Sequence, residues 1–332
     1  MVGRWRVPLL VLSLLVLVVC ALLSLRIGVV SVSTVQVWHA FTDYHYTVSD
    51  IIVRKLREPR TFVAIGVGAS LAVAGALMQA LTRNPLADPG ILGINAGASL
   101  TVVLTLFVIG ATSADADVWA AFPGAAAGAF LVYGLGSAGR DGATPMKLVL
   151  AGAVVSAFMG SIISAIVFLN NGAQQQLLYW EVGTVEGKTM DVVRSVAPLM
   201  ILGLLLAVAS ARALNVLSLG EDTARSLGLR IALIRTVVVV SVVLLAGSSV
   251  AEAGPIAFVG LAVPNAVRAM IGPDYRWIIA FSMILGPVLV LIADILGRVV
   301  LRPSEVPTGI MVALIGAPVF LLLARRKRLA QL

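Results

Sequence analysis

The chain has 332 residues, 60% of them hydrophobic and 12% charged, with a mean hydropathy of +1.04 and a formal net charge of +8. A soluble domain carries about 25% charged residues, so this composition excludes an ordinary water-soluble fold and points to an integral membrane protein. The single cysteine, Cys20, excludes an intramolecular disulfide or a cysteine-built metal centre. Basic residues gather at the ends of apolar runs and not in one patch, which favours membrane anchoring over nucleic acid.

Arg4 and Arg6 precede an apolar run over 7–25. It is long for a signal-peptide core and lacks a small-x-small exit, so it reads as an uncleaved first span. Residues 26–59 form a polar excursion holding His39 and His45, which read as solvated loop residues, and ending in an amphipathic stretch over 50–57. A span needs about 20 apolar residues. Further spans are expected near 61–82, 91–111, 117–136, 147–169, 193–212, 231–252, 257–272, 277–298 and 306–324, with Pro264 and Pro287 inside the eighth and ninth. The expected fold class is therefore all-α, a polytopic membrane protein of about ten transmembrane helices, with 1–332 as a single domain.

Ten spans put both termini on one side. Assigning that side to the cytoplasm gives it Arg4, Arg6, Arg83, Arg140, Lys147, Arg212, Arg225, Arg230, Arg235, Arg268, Arg276 and the basic run 325–328, in accord with the positive-inside rule. Arg54, Lys55, Arg57, Arg60, Arg298 and Arg302 fall outside and break that rule. Two readings stand: interfacial snorkelling, or docking of an acidic partner. Gly68-Ala-Ser-Leu-Ala-Val-Ala-Gly75 and Gly247-Ser-Ser-Val-Ala-Glu-Ala-Gly254 share one pattern, in the second and seventh expected spans. The odd offset makes the repeat inverted, a transporter signature.

Between the sixth and seventh spans lies a polar stretch over 212–230 with glycine punctuation at Gly220 and Gly228. Residues 222–227 are expected to form one short helix with acids at its N-terminal end and Gly228 as its stop. Leu217, Leu219, Ala224 and Leu227 would give it a small apolar face. It lacks the length, aromatics and Lys/Arg-rich face of a lipid-seeking helix, so docking on a soluble partner is the better reading. Leu217-Ser-Leu-Gly-Glu-Asp-Thr-Ala-Arg-Ser-Leu-Gly228 resembles the coupling loop of ATP-binding-cassette importer permeases, in the family that imports iron-siderophores, haem and cobalamin.

The stretch 57–97 strengthens the resemblance: Arg57-Glu-Pro-Arg60, Gly75-Ala-Leu-Met-Gln79, Arg83-Asn-Pro-Leu-Ala-Asp-Pro-Gly90 and Ile91-Leu-Gly-Ile-Asn-Ala-Gly97. Small residues at 66, 68, 69, 72, 75 and 76 give one helix a close-packing face. Gln79 could meet substrate or a neighbouring backbone, and Asn84 by itself reads as a cap or turn residue. The C-terminal third adds Gly254-Pro-Ile-Ala-Phe-Val-Gly-Leu261, Pro264-Asn-Ala-Val-Arg268, Asp294 with Arg298, Glu305-Val-Pro-Thr-Gly309 and Gly316-Ala-Pro-Val-Phe320. Asp294 is the one acid that reads as deep in a span. It suits a proton relay or, four residues from Arg298, a local ion pair.

The resemblance implies a type II importer permease, similar to the cobalamin importer permease. In it Arg57, Arg60 and Arg298 would sit on an outer rim and pair with glutamates of a substrate-binding protein. Gln79, Asn84 and Leu86 would lie on the translocation pathway and its inner constriction. Leu217, Leu219, Gly220, Glu221, Ala224, Leu227 and Gly228 would couple to a separate ATPase subunit. It also implies a second permease copy, identical or related. The chain departs from the family at Asn265, where relatives often carry histidine after the proline, and at Thr144-Pro-Met-Lys147. No Walker motif is present, so ATP belongs to the partner and no cofactor, metal or catalytic residue is expected on this chain. Ferric siderophore is the leading cargo, with haem and cobalamin behind it. A proton-coupled secondary transporter and a membrane-embedded enzyme are the rival classes; no convergent acid/base or metal set supports the second.

Overall fold

A bilayer interior offers no water to satisfy backbone N–H and C=O groups, so each apolar run must close its own hydrogen bonds as a helix. The computed structural model describes residues 5–110, 114–139 and 144–325. Arg4, Arg140 and residues 326–328, assigned above to the cytoplasmic side, lie outside the described residues. The elements in chain order are α1 (Arg6–Arg26), α2 (Thr34–Thr42), α3 (Val48–Ile51), a π-turn (Ile52–Arg57), α4 (Glu58–Thr82), a 3₁₀ turn (Pro89–Leu92), α5 (Ile94–Ile109), α6 (Ala114–Ser137), α7 (Pro145–Leu169), α8 (Asn171–Glu181), α9 (Met190–Leu217), α10 (Glu221–Ser226), α11 (Ile231–Ala253), α12 (Val259–Ile271), α13 (Tyr275–Val300) and α14 (Thr308–Arg325). Each expected span has its helix: α1, α4, α5, α6, α7, α9, α11, α12, α13 and α14. Among the described residues, seven segments are long and apolar enough to cross a membrane unaided, and α5, α12 and α14 are shorter apolar helices.

Two of the short helices explain where the expected boundaries shift. The third span was expected from 91, but the helix starts at Ile94. Asp88 caps the backbone N–H of Gly90 instead, making a 3₁₀ turn that ends at Gly93 in the left-handed region. The eighth was expected from 257 and starts at Val259, after Gly254 and Phe258 take positive φ. Irregular backbone thus follows the first helix of each repeat, as in transporters whose helices are interrupted near the pathway. α9 runs five residues past its expected end at 212, to Leu217.

The polar excursion folds into two small capped elements. Ser33 accepts from the Gln36 N–H while Gln36 accepts from the Ser33 N–H, and Thr47 with Asp50 repeats the reciprocal cap. From Val48 the chain then runs as one helical column through the π-turn into α4.

α4 is the axis of the molecule: its apolar window is 83% buried, against 17% for α1. It packs on α9, α11, α12 and α13. The small face expected at 66–76 does the work of close approach. Gly75 sits against the backbone of Gly260 in α12 and Gly68 against the Gly286–Pro287 peptide of α13, so no side chain fits at either place. The inverted repeat is visible in the packing. α4 packs on α12 and α13, and its counterpart α11 packs on α5 and α6; α5, α6 and α7 form a mutual cluster, as do α12, α13 and α14.

Candidate functional site

Polar side chains concentrate at the two ends of α4. Its 25 residues span about 37 Å at 1.5 Å per residue, so the two clusters face opposite sides of a bilayer. At the N-terminal end, Arg57 and Arg60 are three apart and Asp294 and Arg298 of α13 are four apart, spacings that put each pair on one helix face. Arg60 reaches both Asp294 carboxylate oxygens from Nε (3.0 and 3.2 Å) and Oδ1 again from Nη2 at 2.8 Å. Its Nη1 pairs with Glu305 at 2.6 Å. Arg298 pairs with Asp294 and donates to the carbonyls of Ser24 (2.8 Å) and Ile27 (3.1 Å). Thr308 adds a hydroxyl to Asp294 at 3.0 Å. Arg57 donates to the carbonyls of Leu25, Arg26 and Val30.

Arg57, Arg60 and Arg298 do come together at one end, but they are buried, with 5%, 8% and 1% exposure, and turned inward. The physical reason is that the carbonyls at the end of α1 and the Asp294 carboxylate need donors where water is scarce, and a guanidinium fork supplies several at once. Asp294 is the shared anion of an ion-pair cluster, the second of its two readings. Arg54, Lys55, Glu186 and Arg302 are exposed at this end, and Lys55 and Glu186 line a cavity of about 340 Å³ together with Arg57, Arg60, Lys188 and Glu305 among others. Glu186 lies 4.0 Å from Arg60, and its partial burial lifts its carboxyl above the usual carboxylate range.

At the other end α10 sits across the mouths of α9 and α11. The helix starts one residue earlier than expected, at Glu221, because Gly220 takes a φ of 114° that turns the chain sharply after α9. The apolar face divides. Leu217 and Ala224 are buried against the body, while Leu219 and Leu227 are 66% and 63% exposed. The outward face is therefore Leu219 and Leu227 alone, and Leu217 and Ala224 anchor the element. Glu221 is held by Arg235 at 2.5 Å and faces Arg83 at 3.8 Å; Arg83 also donates to the Leu217 carbonyl at 3.4 Å. Gly228 closes the loop with a φ of 79°.

The pathway candidates lie just inside this end. Gln79, 2% exposed, donates to the Gly260 carbonyl at 3.2 Å and accepts from Arg268 at 3.1 Å, so its amide meets a neighbouring helix. Asn84 is the turn residue it resembled: its Oδ1 accepts from the Leu86 N–H at 2.9 Å. That turn leaves Leu86 54% exposed. Asn265, the departure from the family pattern, is fully buried and donates to the Pro85 carbonyl at 2.8 Å.

Sequence reasoning missed three participants. Glu305 was visible only as part of a motif, and its role depends on the chain folding back after α13. Glu252 is 2% exposed in the last turn of α11, with Lys188 supplying opposite charge, so Asp294 is not the one buried acid. Asn215 bridges α9 to the start of α13, accepting from the Tyr275 N–H at 2.8 Å and donating to Asp274 at 2.6 Å. It became structural only because α9 continues beyond residue 212.

A helical body with an inverted repeat, a short helix docked across one end and an arginine cluster at the other defines a multi-pass membrane permease. The model of the FecCD transport family matches residues 15–326, and the chain belongs to that family. It is 44% identical over 98% of its length to the "probable siderophore transport system permease protein YfiZ" of Bacillus subtilis (strain 168), covering 97% of that relative. It is 41% identical over 95% of its length to the ferric enterobactin transport system permease protein FepD of Escherichia coli (strain K12), covering 94% of it. Among solved structures, an inward-facing metal-chelate type ABC transporter superposes with a TM-score of 0.84 at 26% identity, covering 96% of this chain and 98% of that one.

Proposed function

We propose that the chain is the permease subunit of an ABC importer that moves a ferric siderophore, or a related iron chelate, across the bacterial cytoplasmic membrane. The observation that carries the reading is the placement of α10. It is held against the body by Glu221, Leu217 and Ala224 while Leu219 and Leu227 stay exposed, an element fixed in place yet offering an apolar ridge to a soluble partner. That partner is a separate ATPase subunit, which alone binds ATP. Iron-chelate cargo is supported by the names of the relatives, with haem and cobalamin the alternatives.

The opposite end receives a substrate-binding protein. An incoming carboxylate would meet exposed Lys55 first and then compete with Glu305 for Arg60, so Arg57, Arg60 and Arg298 serve docking as a buried frame. A second permease copy completes the pathway, and both termini face the cytoplasm with α10. The test is co-purification of the tagged chain from iron-limited cells, followed by reconstitution. Recovery of an ATPase subunit and ATP-dependent uptake of radioactive iron as its siderophore complex are expected. Uptake of haem or cobalamin in its place would reassign the cargo. Uptake by the chain alone, driven by a proton gradient without ATP, would refute the importer reading.

A further inference from the structure

The coupling helix and the Asn84–Leu86 turn are joined by a second route, behind the direct contacts of Arg83. It begins at Asn215, one turn before α9 delivers the chain to α10, whose side chain binds both Asp274 and the Tyr275 N–H at the start of α13. The Tyr275 hydroxyl accepts from Arg268 Nη2 at 3.5 Å, and the guanidinium lies 5.9 Å from the tyrosine ring centroid. Arg268 Nη1 donates to Gln79 Oε1 at 3.1 Å and to Asn265 Oδ1 at 3.2 Å. Asn265 then donates to the Pro85 carbonyl at 2.8 Å. Every step but the one from Arg268 to Asn265 crosses between separate elements: α9 to α13, α13 to α12, α12 to α4, and α12 to the turn.

The bonds are unequal. Those of Asn215 and Asn265 to their neighbours' backbones and to Asp274 run from 2.6 to 2.8 Å, whereas those of Arg268 run from 3.1 to 3.5 Å. The Arg268 Nε is buried without an acceptor. A guanidinium shared among side chains of α4, α12 and α13, with one donor unmet, is the joint at which such a chain can re-pair, because a buried polar group without a partner costs about 1–3 kcal/mol. That is what a two-state element between two sites needs.

We propose that Arg268 is a positioning residue that ties the attitude of α10 to the Pro85 turn, through Tyr275 and Asn215 on one side and Gln79 and Asn265 on the other. It rests on the ABC-permease reading. A push on α10 tilts the end of α9, Asn215 carries the start of α13 with it, and Arg268 shifts its hydrogen bonds between Tyr275 and the Gln79–Asn265 pair, releasing or clamping the turn that presents Leu86.

The test uses the full complex with its ATPase in inside-out vesicles. The permease carries Leu86→Cys on a Cys20→Ser background, so that the reporter is the only thiol on the permease. Labelling by a membrane-impermeant maleimide is compared without nucleotide and with Mg-ATP trapped by vanadate. The parent is expected to label at different rates in the two states. Arg268→Ala should keep the ATPase bound and hydrolysing while that rate ratio falls about fivefold or more, the lower end of ordinary coupling factors. Arg268→Lys, which keeps a cation able to reach Gln79, should recover part of it. Tyr275→Phe and Asn215→Ala change the same ratio and carry the test if Arg268→Ala does not assemble. The parent's ratio in these variants would overturn the proposal. No nucleotide effect in the parent would instead sink the importer reading beneath it.

Discussion

Asp294→Ala is the perturbation that bears hardest on the arginine cluster. Its carboxylate is fully buried and accepts from Arg60, Arg298 and Thr308, so removing it leaves two guanidinium groups facing each other in a water-poor site. Arg60 keeps Glu305 and Arg298 keeps the Ser24 and Ile27 carbonyls, so neither side chain is stranded entirely. Truncating one member of a buried pair costs about 3–5 kcal/mol, most of it the penalty on the charge left behind. The retained contacts argue for the lower end, about 3 kcal/mol. The assay is equilibrium unfolding in mixed micelles, read by helicity, for Asp294→Ala, Arg298→Ala and the double variant. The double variant should cost less than the two single changes added together, because the second removes a charge the first had stranded. Asp294→Asn, which keeps the shape and removes the charge, should lose stability in the same assay. A single-variant cost below about 1 kcal/mol would refute the reasoning, since it would mean that water already screens the cluster.

Three further outcomes follow from the geometry. Glu221→Arg sets a third cation against Arg83 and Arg235, so α10 should loosen and the ATPase partner should be lost on purification; retention of the partner at parent levels would count against the role of α10. Gly75→Leu drives a side chain into the Gly260 backbone and should cost at least the upper part of the about 1–3 kcal/mol typical of overpacking, with Gly134→Leu, whose Cβ meets open space, nearly neutral; micellar unfolding reads both. The side chain of Arg276, with help from Asn215, holds the Asp274 carboxyl down to about 2. A lowered folded-state value means that its stabilisation is complete above the ordinary carboxylate range near pH 4 and is lost as pH falls towards 2. Asp274→Asn should flatten stability over that acid window, seen by thermal unfolding at stepped pH.

The spans, their number and the inverted repeat were legible because they are properties of local runs. About 20 apolar residues declare a helix whatever surrounds them, and Gly68–Gly75 repeats in Gly247–Gly254 without reference to any neighbour. The turn at Asn84-Pro85 and the helix at Glu221–Ser226 were legible for the same reason, since cap and turn chemistry acts over three or four residues. The motifs also marked Arg57, Arg60 and Arg298 as belonging together. Direction was not legible. Whether a guanidinium meets solvent or a carboxylate from a helix more than two hundred residues away depends on how α4, α13 and α14 pack, and that packing turned the arginines inward. The same limit divided Leu217 and Ala224 from Leu219 and Leu227, buried Glu252, and brought Asn215, Arg268 and Gln79 into one chain of contacts. Local composition sets which segments are helices; only the close approach of glycine-lined backbones around α4 decides which of their polar groups meet.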